Sequence, residues 1–230
     1  MIDAHSPPPA GDRFERLPLV RRILADLETP LSLYLKLARG PYSYLLESVQ
    51  GGERWGRYSF IGLPARSVIR VRGRHLQWET DGQIIETLPD CPDPLAWIEA
   101  FQQRFRVAAV PGLPRFTGGL VGYFGYETVR YIEPRLGQRM AKPDPLGTPD
   151  ILLMVSEEVL VLDNLSGELT VVVLADPRDA DDVRRAEARL DELTRRLSDP
   201  GPAARHLSTA AANRGGHEVF RASFSREGYE

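Results

Sequence analysis

The sequence predicts an α+β fold with mostly antiparallel sheets and a few packing helices. Strand-like runs follow one another with single helical segments between them, unlike the strict strand–helix alternation of parallel sheets. Glycine turns at Gly73 and at Asp81-Gly82 indicate hairpins, which pair neighbouring strands antiparallel. The chain has 230 residues, of which 42% are hydrophobic, so it has room for one large domain or two small ones.

The composition narrows the classes of protein. The net charge of -3 gives no general attraction to nucleic acid or anionic membranes. Cys91 is the only cysteine, which excludes an internal disulfide and disfavours a cysteine metal site. The sequence contains neither a secretory signal nor an apolar run of the roughly 18 residues that a membrane helix needs. We therefore expect a soluble cytoplasmic protein without nucleic-acid or membrane contacts.

The first elements have clear helix and strand signals. Residues 1–16 contain a proline-rich stretch and are expected to form a disordered tail. A short helix follows, with Thr29 as N-cap, Pro30 in its first position and Gly40 at its end. Its predicted buried face is Leu31, Tyr34, Leu35 and Leu37. Residues 42–49 then alternate as a strand does, and two further strand runs lead into the hairpins.

The second half predicts two helices and two long strands. Asp93 and Pro94 begin a helix whose apolar stripe is Trp97, Ile98, Phe101 and Phe105. The run "DILLMVSEEVLVLDNLSGELTVVVLAD" predicts two strands around the turn "DNLSG". A surface helix follows, with the stripe Val183, Ala186, Leu190, Leu193 and Leu197. Residues 199–216 have the composition of a linker, and 217–230 have the pattern of the start of another domain. We therefore expect this sequence to stop at the threshold of that domain.

Two patterns that are typical of ligand sites have simpler explanations. The glycines of "FTGGLVGYFGYE" lie at the wrong spacing for a dinucleotide site, and they favour a strand that another backbone approaches closely. Tyr123, Phe124 and Tyr126 would then pack across the gap. The alternating Arg70, Arg72 and Arg74 could grip phosphate, but a solvated strand face is the stronger interpretation. Cys91 lacks a nearby histidine and is read as a bystander.

Glu47 and Ser48 remain the most informative pair. They stand at the end of a strand, before a glycine loop, where the strand could simply emerge into water. If Glu47 faces inward, its carboxylate needs a cationic partner, because an isolated buried charge is costly. A small zwitterion would suit the pair: Glu47 would bind the ammonium, and Arg57 or backbone N–H groups would bind the carboxylate.

Several short motifs, taken in order, resemble the N-terminal region of anthranilate synthase component I. They are "TPLSLYLKL", "YLLES", "GGERWGRYSFIG" and "GGLVGYFGYETVR", and the similarity runs from about Leu17 to Asp176 and resumes at "FSREGYE". The resemblance implies the N-terminal part of a chorismate-utilising-enzyme fold, with a regulatory domain over 17–198. It also implies a lyase that makes anthranilate and pyruvate from chorismate, with ammonia from a glutamine amidotransferase subunit and with Mg²⁺.

The same resemblance implies feedback inhibition by L-tryptophan in tryptophan biosynthesis. Leu46, Glu47 and Ser48 match the family's Leu-Leu-Glu-Ser motif, which is part of the inhibitor site, and Arg57 is the nearest match to a basic residue that follows. Catalytic residues and Mg²⁺ ligands are expected in a C-terminal chorismate-binding domain outside this chain. The alternatives are aminodeoxychorismate synthase component I of folate synthesis, or a stand-alone ligand-binding module.

Overall fold

A computed structural model describes residues 14–47, 56–137 and 146–198 of the chain. The described strands are β1 Phe14–Leu24, β2 Tyr44–Leu46, β3 Tyr58–Gly62, β4 Ser67–Arg72, β5 His75–Thr80, β6 Gln83–Leu88, β7 Phe105–Val107, β8 Gly119–Phe124, β9 Ile151–Ser156, β10 Glu158–Asp163 and β11 Glu168–Ala175. The helices are α1 Pro30–Leu37, α2 Pro94–Arg104, α3 Val129–Ile132, α4 Pro134–Gly137 and α5 Ala180–Leu197, and a short 3-10 turn spans Tyr126–Thr128.

The strands form two sheets that are almost entirely antiparallel. The six-stranded sheet has the order β2-β3-β10-β11-β1-β7, and only its β1–β7 pair is parallel. The five-stranded sheet has the order β6-β5-β4-β9-β8 and is antiparallel throughout. The predicted α+β class with mostly antiparallel sheets is confirmed.

Strand β11 lies between two hydrophobic cores. Leu169, Val171 and Val173 point toward the helices α1 and α5, whereas Val172 and Leu174 point toward α2 and the five-stranded sheet. Successive residues of a strand face opposite sides, so both sides of this strand are buried. The six-stranded sheet is therefore the middle layer of the described structure.

The helix caps follow the sequence signals, but one buried face does not. Thr29 caps α1 in a reciprocal arrangement with Ser32, and the side chain of Asp93 caps α2 by accepting from the Ala96 N–H. In α1 the buried residues are Leu33 and Leu37, whereas Leu31 is exposed. The helix also ends at Leu37, before the predicted Gly40. Both corrections follow from how α1 packs on the sheet, which the short apolar run does not specify. The predicted stripes of α2 and α5 are confirmed.

Two strand assignments also need correction. The predicted tail ends too late, because residues 14–16 belong to β1 and pair with β7. The first of the two long strands predicted around "DNLSG" is divided at Glu157 into β9 and β10. β9 pairs within the five-stranded sheet and β10 within the six-stranded sheet, so the chain changes sheets at this residue. The polar "SEE" between the two apolar runs does not by itself specify that the strands on either side join different sheets.

The glycine-rich segment forms the edge strand β8. A Cβ atom added to Gly122 would lie 1.9 Å from the carbonyl oxygen of Leu152 in β9, so the predicted close approach of backbones is confirmed. The aromatic residues do not pack across the gap, because Tyr123, Phe124 and Tyr126 are 41%, 54% and 91% exposed. Strand β8 therefore presents an apolar edge to solvent among the described residues.

Candidate functional site

The strands β2 and β3 bring two predicted site residues to the same end of the six-stranded sheet. Leu46 is the last residue of β2, and Arg57 directly precedes β3. The two strands run antiparallel, so the end of one lies beside the start of the other. Asp163 pairs with Tyr58, which places the β10–β11 turn at this end as well.

One row of side chains crosses the sheet near this end. Leu46 pairs with Phe60, Phe60 with Val161, Val161 with Thr170, and Thr170 with Arg22. Residues directly opposite each other on neighbouring strands share a face of the sheet. Leu46 and Arg22 therefore mark the two ends of one continuous surface.

A cavity of about 230 Å³ lies on this surface. It is lined by Arg22, Arg57, Tyr58, Gly112, Pro114, Val161, Asp163, Ser166, Glu168 and Thr170. The volume is below the roughly 300–1,000 Å³ of typical small-molecule pockets. The cavity is therefore large enough for part of a ligand rather than for a whole drug-sized molecule.

An ion pair between Arg57 and Asp163 forms one wall of the cavity. Nε and Nη2 of Arg57 donate to Oδ2 of Asp163 at 3.0 and 2.8 Å. This hydrogen bonding holds the pKa of Asp163 below its ordinary value, so the carboxyl is ionised at neutral pH. The guanidinium also lies 5.0 Å from the centroid of the Tyr58 ring, a cation–π contact that limits its orientation.

The opposite wall repeats the same combination of charges. Arg22 donates from Nη2 to the carbonyl oxygen of Gly112 at 2.9 Å, and its Nε lies 3.6 Å from a carboxylate oxygen of Glu168. The cavity thus presents guanidinium and carboxylate groups together. A zwitterion needs both kinds of partner, so the lining is chemically suited to a free amino acid.

The four predicted ligand-binding residues differ in their positions relative to the cavity. Arg57 lines the cavity, and Leu46 is half exposed on the same face. Glu47 follows β2 and its side chain is exposed, outside the cavity lining. Ser48 lies outside the described residues.

Sequence reasoning missed Asp163 and Arg22, which line the cavity together with Arg57. Asp163 belongs to the run "DNLSG", in which its charge was read only as a turn signal. Arg22 lies on β1, for which no element was predicted. Their only signal would have been charged residues within otherwise apolar strands.

A larger cavity of about 820 Å³ lies where the chain passes between the two sheets. Glu157 lines it, and burial raises the pKa of this carboxyl, although Arg16 opposes the shift from 3.5 Å. Arg66 and Arg189 also line this cavity, and each is paired with a carboxylate, Asp81 and Glu158 respectively. Ion pairing is common to both cavities, but Leu46, Glu47 and Arg57 do not line the larger one.

The residues considered for other chemistry have structural partners. Arg70 donates to Glu79 and to the hydroxyl of Tyr42, so its guanidinium is paired within the chain and only partly solvated. Arg72 and Arg74 are exposed, as the solvated-face interpretation predicts. Burial raises the pKa of the Cys91 thiol, which reduces its thiolate fraction. Across residues 14–47, 56–137 and 146–198, no group of three or more His, Cys, Asp or Glu side chains is placed to hold a metal ion.

No helix within these ranges is both long enough and apolar enough to cross a membrane.

Comparison with known proteins identifies the relatives of the chain. It is 56% identical over 221 residues to anthranilate synthase component 1 of Pseudomonas aeruginosa, covering 96% of this chain and 44% of that protein. It is 49% identical to the same component of Neisseria meningitidis serogroup B, over 94% of this chain and 45% of that protein. The identity to the Aquifex aeolicus protein is 34%, over 96% of this chain and 44% of the relative. No protein-family model matches the chain.

A solved structure has the same fold. The crystal structure of anthranilate synthase component I from Streptococcus pneumoniae superposes with a TM-score of 0.51 and 24% sequence identity, over 79% of this chain and 37% of that one. The class of the protein is therefore an α+β chain with the fold found in part of that structure. More particularly, the chain is a homologue of one part of anthranilate synthase component 1, and the resemblance predicted from its motifs is confirmed. It spans about 44% of the length of the curated relatives it matches.

Proposed function

We propose that this chain is the N-terminal regulatory part of anthranilate synthase component I. The full-length protein would convert chorismate and glutamine-derived ammonia to anthranilate and pyruvate, in the cytoplasm, as a step of tryptophan biosynthesis. The observation that carries this proposal is 56% identity over 96% of the chain to a protein of that name. In this assignment residues 17–198 form the regulatory domain, 199–216 the linker, and 217–230 the start of the chorismate-binding domain.

The chemistry would belong to the remainder of the full-length protein. The resemblance to anthranilate synthase component I implies that Mg²⁺ and its ligands belong to the chorismate-binding domain. The charged side chains of the smaller cavity are engaged in ion pairs and are not arranged as an acid–base pair for turnover. We therefore expect the isolated chain to be inactive on chorismate.

The role of this chain would be to bind L-tryptophan as an inhibitor. Leu46, Glu47, Ser48 and Arg57 are the proposed ligand-binding residues. Support comes from the end of the six-stranded sheet, where a mixed-charge cavity adjoins Arg57 and shares a face with Leu46. Tryptophan would bind one arrangement of the regulatory and catalytic domains better, and this would shift the population away from the active state.

The chorismate-binding domain of the same polypeptide would cover the apolar edge of β8. Tyr123, Phe124 and Tyr126 are exposed on or beside this strand, and Val129 and Ile132 continue the exposed apolar surface. An open strand edge with apolar side chains is a favourable place for another element to pair or pack. The amidotransferase subunit, component II, is the second proposed protein partner.

Product analysis and inhibition kinetics of the full-length protein test the proposal. Purified with its amidotransferase, it should form fluorescent anthranilate from chorismate and glutamine, and L-tryptophan should inhibit this reaction. Glu47→Ala should raise the inhibitory concentration about tenfold while leaving turnover nearly unchanged. Formation of aminodeoxychorismate would instead identify the folate-pathway enzyme, and equal loss of turnover and inhibition would give Glu47 a structural role.

A further inference from the structure

The turn between β10 and β11, residues Asp163–Gly167, is held firmly on the six-stranded sheet. The Gly167 N–H donates to the Asp163 carbonyl at 2.8 Å, and the Ala25 N–H donates to the Gly167 carbonyl at 2.8 Å. Within the turn, the Leu165 N–H donates to Oδ1 of Asp163 at 3.0 Å. The turn is thus fixed both internally and to the chain that leaves β1, so it can serve as a support for its neighbours.

Asn164, which lies in this turn, forms hydrogen bonds to the residues at the start of β3. Its backbone N–H donates to the Arg57 carbonyl at 2.8 Å. Its side-chain Nδ2 donates to the Gly56 carbonyl at 3.2 Å and to the hydroxyl of Ser59 at 3.1 Å, and Ser59 is buried. One exposed residue therefore makes three hydrogen bonds to the segment 56–59, which includes Arg57.

Asp163 completes the arrangement by fixing the other end of Arg57. Asn164 holds the backbone of Arg57, and Asp163 accepts two hydrogen bonds from its guanidinium. A guanidinium has five N–H donors, so this contact leaves donors for an anionic group of a ligand. Backbone and side chain of Arg57 are thus both positioned before any ligand arrives.

We propose that Asn164 is a positioning residue for the amino-acid inhibitor site. The inference rests on the proposed function, because it assumes that Arg57 receives the carboxylate of L-tryptophan. Binding to a group already held in place avoids the entropic cost of ordering it, so loss of the Asn164 contacts weakens inhibition. The chemistry of turnover lies outside this chain, so kinetic constants for chorismate are unaffected.

The test compares Asn164→Asp with wild type in the full-length protein. Aspartate has nearly the same shape but no side-chain N–H, so it loses both donated bonds, to the Gly56 carbonyl and to the Ser59 hydroxyl, without opening space, and it places a negative charge beside the Gly56 carbonyl. We expect the L-tryptophan concentration for half-inhibition to rise about tenfold. The kcat and KM for chorismate should stay within about twofold of wild type. Leu165→Ala is the matched control, because this side chain in the same turn is 81% exposed.

The possible outcomes separate the two proposals. Weakened inhibition in Asn164→Asp, with normal kinetics and with Leu165→Ala unchanged, supports the positioning role. An inhibited wild type with an unchanged Asn164→Asp overturns this inference alone. A simultaneous loss of turnover and inhibition, with a lower thermal midpoint, also overturns it in favour of a structural role. A wild type that L-tryptophan does not inhibit overturns the proposed inhibitor site and this inference with it.

Discussion

The two sheets of this chain differ in how completely their apolar residues are covered. In the six-stranded sheet, β10 and β11 are buried along most of their length. Helices α1 and α5 cover one face of both strands, and the second core covers the other face of β11. In the five-stranded sheet, β8 is an edge strand with exposed tyrosine and phenylalanine side chains. Within the described residues the central strands of the first sheet are thus covered, although Leu24 and Leu46 are exposed, whereas the second sheet has an uncovered apolar edge strand.

The covered and uncovered regions have different expected roles, one as structural support and the other as a contact surface. The covered sheet supplies the rigid support on which the β10–β11 turn and Arg57 are placed. The uncovered edge has the features of a surface that a further element contacts.

The largest effect is expected from a cavity in the covered sheet. Leu160→Ala should lower the free energy of unfolding of this chain by about 2–5 kcal/mol, because Leu160 is fully buried. Leu120→Ala on β8 should cost less, since its side chain is only partly buried against the second core. Urea unfolding followed by circular dichroism measures both. An equal decrease in the free energy of unfolding for both variants would contradict the proposed difference in how well the two sheets are covered.

A smaller loss is expected where β8 meets β9. Gly122→Ala should cost about 1–3 kcal/mol, because the new methyl group would overlap the Leu152 carbonyl. Faster amide hydrogen exchange should be confined to β8 and β9. Gly73→Asn is the control: its φ of +55° tolerates asparagine, and no atom lies within 4 Å of the added Cβ. Unchanged exchange in Gly122→Ala would show that β8 adapts to the side chain.

The smallest effect on stability is expected at the apolar edge. Phe124→Ser with Tyr126→Ser should change the free energy of unfolding by less than about 0.5 kcal/mol, since both side chains are largely exposed. The double variant should nevertheless reduce self-association of the isolated chain in sedimentation velocity. Leu27→Ser with Leu165→Ser, which alters two apolar residues elsewhere that are 98% and 81% exposed, should not. The same reduction in self-association for both variants would indicate nonspecific hydrophobic association rather than a defined contact surface.

Local patterns determined a large part of this structure. The caps of α1 and α2, the Asp81-Gly82 hairpin, the stripe of α5 and the close approach at Gly122 follow from residues near one another in sequence. Each depends on backbone geometry or on helical periodicity, so a short window carries the whole signal. The motifs that identified the relatives were likewise local.

Tertiary structure alone decided which residues meet. The corner at Glu157, the buried face of α1 and the exposure of Tyr123, Phe124 and Tyr126 depend on what lies across the sheet, which no local pattern encodes. The partners of Arg57 are a further case, because Asp163 and Asn164 lie more than a hundred positions away along the chain. Strand pairing brings them together, and an apolar strand sequence specifies that it will be buried but not which neighbour will bury it.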